Sequence, residues 1–139
     1  MIRFFLHRLL GLGKIPAGDR KALELEGIEV SFEGISESIT YRNYRAPGKF
    51  FLARRQWVIG SLAITKHRFV AYAYSRRLFN VSLGNSSLSK WKIFVEDGQR
   101  LCLAGEASDF GLNQSGSLEF WFTIPDAEKV VRLIVKGAT

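Results

Sequence analysis

Cationic side chains at the expected ends of strands are the residues with the clearest chemical potential in this sequence. They are Lys66, His67, Arg68, Arg76, Arg77, Lys90 and Lys92. If these strand ends meet on one rim, the side chains form a patch that binds an anionic partner. If they are dispersed, they are solvated charges that keep sheet edges from pairing with other strands. The sequence leaves both interpretations open.

Residues that could carry catalysis do not form a recognised set. His7 and His67 are far apart in the chain, and Cys102 alternates with leucines in an expected strand. Glu106 and Asp109 share a loop, where acidic side chains are usually solvated or cap a turn. Metal-ligand spacing, a nucleophile elbow and a phosphate-binding loop are not found in the sequence. We therefore predict a protein without enzymatic activity, cofactor or metal.

The positive charge is concentrated in the middle of the chain. Residues 38–95 contain eleven Lys and Arg residues and no Asp or Glu, although the net charge of the whole chain is only +7. The flanking segments are slightly acidic. Two explanations fit this asymmetry: an anionic partner, or pairing of the basic middle with the acidic flanks in the folded protein.

Length and composition indicate one domain outside the membrane. A chain of 139 residues, 47% of them hydrophobic, can bury one ordinary core. Its single cysteine excludes an intramolecular disulfide, and no apolar run approaches the roughly 20 residues that span a bilayer. We expect a cytoplasmic protein, with attachment to the inner face of the membrane as the alternative.

An amphipathic helix is predicted for residues 1–16. Its apolar face consists of Ile2, Phe5, Leu6, Leu9 and Leu10, and Gly11, Gly13 and Pro16 end it. We favour a role in covering an open end of the core, because a small domain needs its apolar faces. The alternative is that the helix lies on a membrane surface or binds a partner.

The rest of the chain alternates with the period of a β-strand. We expect a first strand from Leu23 to Phe32 with a bulge at Gly27, followed by a loop and then the strand SITYRNYR. The segment APGK is a turn, and Asp97-Gly98 predicts a tight hairpin of the primed type. About seven short strands precede a helix that begins near Pro125, with an apolar stripe of Val130, Val131, Ile134 and Val135. This order predicts a mainly β domain, a partly open antiparallel barrel with a C-terminal capping helix.

One segment resembles a known family. The residues WVIGSLAITKHRFVAYAY are similar to the G-x-L-x-x-T-x-x-R-φ-x-x-Y pattern (φ apolar) of bacterial pleckstrin-homology-like and GRAM-like domains, through Gly60, Leu62, Thr65, Arg68, Phe69 and Tyr72. The resemblance covers about residues 22–136 and places a pleckstrin-homology-like domain at 22–137. It implies a binding or scaffolding module. Phosphoinositide-binding members carry basic residues between their first two strands, whereas FEGISESI, the segment expected there, has Glu33 and Glu37 and no cation.

Several partners are compatible with such a module. Four or five basic residues at about 1 kcal/mol each near an anionic leaflet give a dissociation constant of only about 1 mM, so membrane binding also needs an apolar insertion. Single-stranded nucleic acid is less favoured, although Trp57, Tyr72, Tyr74, Phe79 and Trp91 lie among the basic residues. An apolar ligand inside the barrel is a further alternative, suggested by eleven phenylalanines. A protein partner, or a homo-oligomer formed through an open strand edge, stays open.

Overall fold

A computed structural model describes residues 13–84, 88, 90–111 and 113–138. The predicted helix of residues 1–16 falls mostly outside these ranges, since its apolar positions Ile2, Phe5, Leu6, Leu9 and Leu10 precede them. Within the described ranges, no helix is long and apolar enough to cross a membrane.

Seven antiparallel strands form one open sheet. The strands are β1 (Ile28–Ala46), β2 (Lys49–Thr65), β3 (Arg68–Ala73), β4 (Arg76–Ser82), β5 (Lys92–Glu96), β6 (Arg100–Glu106) and β7 (Ser115–Thr123). Their order across the sheet is β4-β3-β2-β1-β7-β6-β5, so that β4 and β5 are its edges. The helices are α1 (Ala17–Glu26) and α2 (Ala127–Ala138), with a short 3-10 helix at Ala107–Asp109. The predicted mainly β class with about seven strands and a C-terminal helix is confirmed.

One face of the sheet curls around a single core. Phe69 of β3, Phe79 of β4, Leu103 of β6 and Phe122 of β7 all belong to the same buried cluster. Because side chains alternate across a strand, such a cluster can collect residues from distant strands only if the sheet bends around it. Trp91, just before β5, contacts Phe79 of β4 with ring centroids 5.4 Å apart, which closes the core between the two edges.

Helix α2 packs against this core at one end of the sheet. Ala127, Val130 and Ile134 are fully buried, whereas Val135 is more than half exposed. The burial expected of the apolar stripe is therefore confirmed for Ile134 and wrong for Val135. The helix follows β7 directly, and the Ala127 N–H donates to the Gly98 carbonyl in the predicted β5–β6 hairpin. In that hairpin Asp97 and Gly98 both have positive φ, as a primed turn requires.

The segment before β1 differs from the sequence prediction. Residues 17–26 are helical, and the first strand begins at Ile28 rather than at Leu23. Pro16 precedes the helix and Gly27 ends it with a φ of 95°, donating its N–H to Leu23 and Glu24. These are ordinary helix boundary signals, which the short alternation of Leu23 and Leu25 obscured. Helix α1 crosses the predicted boundary at residue 22 and packs its Leu23 against the outer face of β2 and β3.

The first hairpin is longer than the sequence suggested. FEGISESI lies inside β1 and is not the loop between the first two strands, because a register shift at Glu33/Ile35 accommodates Gly34 without ending the strand. The strands turn instead at Pro47-Gly48, in the predicted APGK turn, where Gly48 has a φ of 75°. The segment FFLARRQW, which follows this turn, is strand throughout. This places the tip of the hairpin at the opposite end of β1 from Ile28.

Candidate functional site

The outer part of the β1–β2 hairpin is an exposed region that is both basic and apolar. The pairing of β2 with β3 begins only at Gly60, so the arm from Lys49 to Val58 pairs with β1 alone among the described strands. Strand β1 also pairs with β7 up to Arg45. The turn at Pro47-Gly48 holds the two arms together, and the tip therefore projects one free strand edge.

Exposed apolar side chains lie at this tip. Phe50 is 55% and Leu52 70% exposed. Four cations surround them in the same stretch of hairpin: Arg45, Lys49, Arg54 and Arg55. None of these four forms an ion pair within the described residues, and all of them are exposed. We call the six residues the hairpin tip.

Arginines of the hairpin tip stack on aromatic rings. The Arg45 guanidinium lies 4.9 Å from the centroid of the Phe50 ring, and that of Arg54 lies 4.7 Å from the Phe51 ring. Such cation–π contacts hold the charges beside the apolar rings at little cost in hydration. The tip is therefore both strongly basic and apolar, a combination that a merely solvated turn does not need.

A cleft of about 350 Å³ opens beside the hairpin tip. Lys49 and Gln56 of β2 line one side, and Arg76 and Arg77 at the β3–β4 turn line the other. Its floor is aromatic and partly hydrogen bonded, since Tyr44 donates to Gln114 Oε1 at 2.6 Å. Positive charge at the rim and hydrogen-bonding groups inside suit a small anionic group.

Burial in the cleft favours the protonated form of Tyr41 and Tyr44. Burial raises the pKa of Tyr41, and the neighbouring Tyr44 adds to this shift. Burial likewise raises the pKa of Tyr44. Their hydroxyls are therefore neutral donors at physiological pH, so the cleft presents no negative charge of its own to an anion.

The predicted cations of the β2–β3 turn lie at the end of the sheet away from the hairpin tip. Lys66 and His67 are exposed, and Lys66 lines a shallow groove beside α2. Arg68 forms an ion pair with Glu26 of α1. This corner is therefore a hairpin turn that pairs locally with the acidic N-terminal flank.

The remaining predicted cations divide between two places. Arg76 and Arg77 line the cleft, and Arg77 pairs with Asp19 of α1 at 2.9 Å. Lys90 and Lys92 lie in a shallow groove on the other part of the sheet, together with Arg42, which pairs with Glu119. The seven predicted cations thus occupy three separate regions. Only Arg76 and Arg77 accompany the hairpin tip.

The residues of the family-like motif have structural explanations. Thr65 Oγ1 accepts the N–H groups of His67 and Arg68, both at 3.1 Å, and so fixes the β2–β3 turn. Gly60 lies at the end of the β2–β3 pairing, and a Cβ there would lie 2.0 Å from the Tyr72 carbonyl oxygen. The Tyr72 hydroxyl donates to Asp19 of α1 at 2.7 Å. These contacts position the hairpins rather than a ligand.

An unexpected acidic side chain lies in the core face of β1. Glu37 is 2% exposed, and neither carboxylate oxygen has a hydrogen-bond partner among the described residues. Its oxygens would lie 2.5 and 2.7 Å from a Cβ at Gly60, so the carboxyl fills the space that the glycine leaves. Desolvation raises the pKa of Glu37 well above its usual value. Burial therefore disfavours the ionised form of this carboxyl.

The predicted strand position of Cys102 is confirmed. The thiol is fully buried, and burial raises its pKa to about 12. A thiol in this environment is a poor nucleophile. Within the described ranges no group of three or more potential ligands is arranged to hold a metal ion.

Sequence reasoning missed the hairpin tip, although a signal was present. The run Phe50-Phe51-Leu52 breaks the alternation of a half-buried strand just after a Pro-Gly turn. Three consecutive apolar residues at a turn cannot all face the core, so at least one must be exposed. The Arg and Lys residues around that run were counted in the basic middle but not assigned to one place.

Comparison with known proteins gives no assignment. No protein-family model matches the chain, and no curated protein matches its sequence. The pleckstrin-homology-like assignment therefore stays a prediction.

Proposed function

We propose that this chain is a non-catalytic module that attaches to an anionic phospholipid surface through the hairpin tip. The observation that carries this proposal is the exposure of Phe50 and Leu52 among four cations that form no ion pair within the described chain. The resemblance to pleckstrin-homology-like domains implies a binding module of the same general kind. Attachment of this kind would place the protein at the inner face of the membrane.

Energies of the right size support this proposal. Four basic residues contribute about 1 kcal/mol each beside an anionic leaflet. Insertion of Phe50 and Leu52 adds about 3 kcal/mol, since both are already partly buried and a fully exposed side chain gains about 1.5–3 kcal/mol. Together these give a dissociation constant on the order of 10 µM. Charge and apolar insertion therefore act together, where neither suffices alone.

The cleft beside the hairpin tip adds a place for a headgroup. Lys49 belongs to both the tip and the cleft, and Arg76 faces it across the opening. A membrane that receives Phe50 and Leu52 therefore brings its phosphates toward the cationic rim of the cleft. We expect lipids with a phosphate-bearing headgroup to bind more tightly than lipids whose charge is a carboxylate alone.

Sedimentation of the full chain with vesicles tests the proposal. We expect binding to vesicles that contain phosphatidylglycerol, little binding to pure phosphatidylcholine, and weakening as salt is raised. The double variant Phe50→Ser/Leu52→Ser should bind about 100-fold more weakly, the loss of roughly 3 kcal/mol. Arg45→Gln/Lys49→Gln should bind about 30-fold more weakly, the loss of roughly 2 kcal/mol.

Matched controls separate the hairpin tip from general surface properties. Leu25→Ser removes an 83% exposed leucine from α1, and Lys21→Gln/Lys66→Gln removes two exposed cations outside the tip. Both should bind vesicles as the unchanged chain does. Equal losses in the control and tip variants, or no binding to anionic vesicles at all, would refute the proposal.

A further inference from the structure

One edge of the β2 arm has no neighbouring strand among the described residues. Strand β3 pairs with residues 60–64 of β2, and just beyond them the Tyr74 N–H donates to the Ile59 carbonyl at 2.7 Å. Tyr74 has a φ of 56°, and there the chain turns away into β4. Residues 49–58 therefore have β1 on one side and no described strand on the other.

Backbone hydrogen-bonding groups alternate along this edge. In an antiparallel sheet, the N–H and C=O of one residue point to the same side, and those of the next residue point to the other. The Ile59 carbonyl points toward β3, so the backbone groups of Trp57, Arg55 and Ala53 point to that side as well. Within the described residues, none of the three has a backbone hydrogen bond there. We call Ala53, Arg55 and Trp57 the free edge.

The side chains around the free edge are exposed and cationic. Arg55 lies on the outer face of the sheet, with its guanidinium 5.8 Å from the centroid of the Trp57 ring. Arg54 lies on the inner face, where the neighbouring cleft carries Arg76 and Arg77 on its opposite side. Arg54, Arg55 and Arg76 form no ion pair within the described residues. A strand added to the free edge would therefore meet positive charge on both faces.

Charge decides which strand this edge accepts. Opposite charges that face each other on neighbouring strands stabilise the pairing, and like charges destabilise it. A second copy of this chain would bring Arg54 and Arg55 against the same cationic stretch. Residues 1–12 contain Arg3 and Arg8 and no acidic residue. Cations on an edge thus exclude strands of their own charge, whereas an acidic strand is attracted.

We propose that the free edge binds an acidic, extended segment of a partner protein, which joins the sheet as a further strand beside β2. An extended peptide presents N–H and C=O groups in the alternation that the free edge requires. On the outer face, an acidic side chain of the segment faces Arg55 and an apolar one faces Trp57. On the inner face, acidic side chains reach toward Arg54 and Arg76. This interaction goes beyond membrane attachment and does not depend on it, although Arg54 and Arg55 belong to the hairpin tip.

Amide NMR of the isotope-labelled full chain tests this proposal, with an eight-residue peptide of alternating glutamate and valine as the probe. Binding should protect the outward amides of Ala53, Arg55 and Trp57 from exchange with water by at least about tenfold. The amides of Arg54 and Gln56 point to β1 and should change little. Charge attraction alone does not produce such an alternation, so the pattern identifies strand addition.

Two control peptides leave the protein unchanged. The peptide with lysine in place of every glutamate should not bind. The glutamate peptide with a methyl group on each amide nitrogen keeps its charges but donates no backbone hydrogen bond, and it should not protect the outward amides. Equal protection by the methylated peptide, or no protection by the unmethylated one, would show that the free edge does not pair with a strand.

The contribution of charge is measured with two double variants. Arg54→Gln/Arg55→Gln should weaken binding of the glutamate peptide about tenfold, because two cross-strand charge pairs are lost. The matched control Lys21→Gln/Lys66→Gln removes two exposed cations outside the arm and should bind the peptide as the unchanged chain does. Equal weakening in both variants would mean general attraction to a basic protein and would contradict the proposal.

Other occupants of the free edge show themselves without peptide. If the outward amides are protected in the chain alone at every concentration, the chain covers the edge itself. If that protection disappears on tenfold dilution, a second copy covers it. Either result overturns the proposal. These measurements contain no lipid, so a chain that binds the peptide but not anionic vesicles refutes membrane attachment alone, and the reverse result refutes strand addition alone.

Discussion

Glu37 and Gly60 pack against each other, since the glycine leaves the space that the glutamate side chain fills. The carboxyl of Glu37 occupies the space above Gly60 and has no hydrogen-bond partner in the described chain. A buried polar group without a partner costs about 1–3 kcal/mol. The position is therefore a local conflict in an otherwise apolar core face. Such conflicts are the places where a single substitution can stabilise a protein.

Replacing Glu37 by methionine should stabilise the protein, and more so at higher pH. The folded-state pKa of Glu37 is raised, so the native state binds a proton that the unfolded chain releases above about pH 4. Stability therefore falls as pH rises from that value toward the raised pKa. Glu37→Met removes this slope and adds about 1–3 kcal/mol by eliminating the unpartnered group. Urea denaturation between pH 4 and pH 8 measures both effects.

Glu33 on the same strand is the matched control. Its carboxylate accepts the Ile15 N–H at 2.8 Å and pairs with Arg20 of α1. Glu33→Met should therefore destabilise the protein by about 1–3 kcal/mol. A loss of stability in Glu37→Met similar to that in Glu33→Met would show that the buried carboxyl has a partner.

Among the elements, helix α1 is attached to the sheet by one buried apolar side chain and by hydrogen bonds from β3 and from the β3–β4 turn. Leu23 supplies its buried apolar contact, while Asp19 receives hydrogen bonds from Tyr72 and Arg77. The hydrogen bond from Tyr72, followed by that from Arg77, lowers the pKa of Asp19. An ionised Asp19 therefore binds α1 to β3 and to the β3–β4 turn.

Tyr72→Phe should weaken the attachment of α1 in a pH-dependent way. Removing the hydroxyl costs about 1 kcal/mol, because a hydrogen bond to a carboxylate is lost while Arg77 still pairs with Asp19. A lowered pKa stabilises the folded state above the unfolded pKa of about 4, and this contribution disappears as pH falls through the folded value. The difference between variant and parent should be full at pH 7 and shrink below pH 4. Thermal unfolding of variant and parent at pH 7 and below pH 4 measures this difference in stability. An equal difference under both conditions would exclude the role of Asp19.

The elements that sequence predicted well are those with local signals. Asp97-Gly98 and Pro47-Gly48 require positive φ at a glycine, and this requirement is visible in a few residues. The sequence predicts a strand in place of the second half of helix α1, because Leu23 and Leu25 alternate with polar residues as in a strand. In the structure Leu25 is exposed and only Leu23 packs on the sheet. The burial of Glu37 depends on pairing with β7, far along the chain. The grouping of Lys49 with Arg76 likewise depends on the curl of the sheet, which no local pattern contains.

At the scale of the whole molecule, the charge asymmetry has two explanations at once. Arg42, Arg68 and Arg77 of the basic middle pair with Glu119, Glu26 and Asp19 of the flanks. The cations of the hairpin tip have no such partner in the described chain. The fold thus neutralises part of the basic middle and leaves a basic surface at one end of the sheet. The sequence suggests both explanations, but it does not show which cations pair with the flanks and which stay exposed.

Among the described strands, the edges β4 and β5 do not pair with each other, and side chains close the gap between them. Phe79 of the edge strand β4 is central to this junction, with its ring 5.4 Å from both Trp91 and Phe120 and 5.7 Å from Phe110. Those three residues belong to the other half of the chain. On the open side of the sheet this buried ring therefore connects β4 to the second half of the chain, while on the other side β1 and β7 join the two halves through backbone pairing.

Phe79→Ala should accordingly destabilise the whole domain rather than one edge. Loss of a buried phenylalanine costs about 3–5 kcal/mol, partly through the cavity that remains. Because the ring joins both halves of one core, urea unfolding should stay cooperative, with the same lowered midpoint by circular dichroism and by tryptophan fluorescence. Phe50→Ala at the exposed hairpin tip is the control and should leave the midpoint nearly unchanged. Separate midpoints for the two signals in Phe79→Ala would mean that the halves of the sheet fold independently, and that the curled sheet is not one cooperative unit.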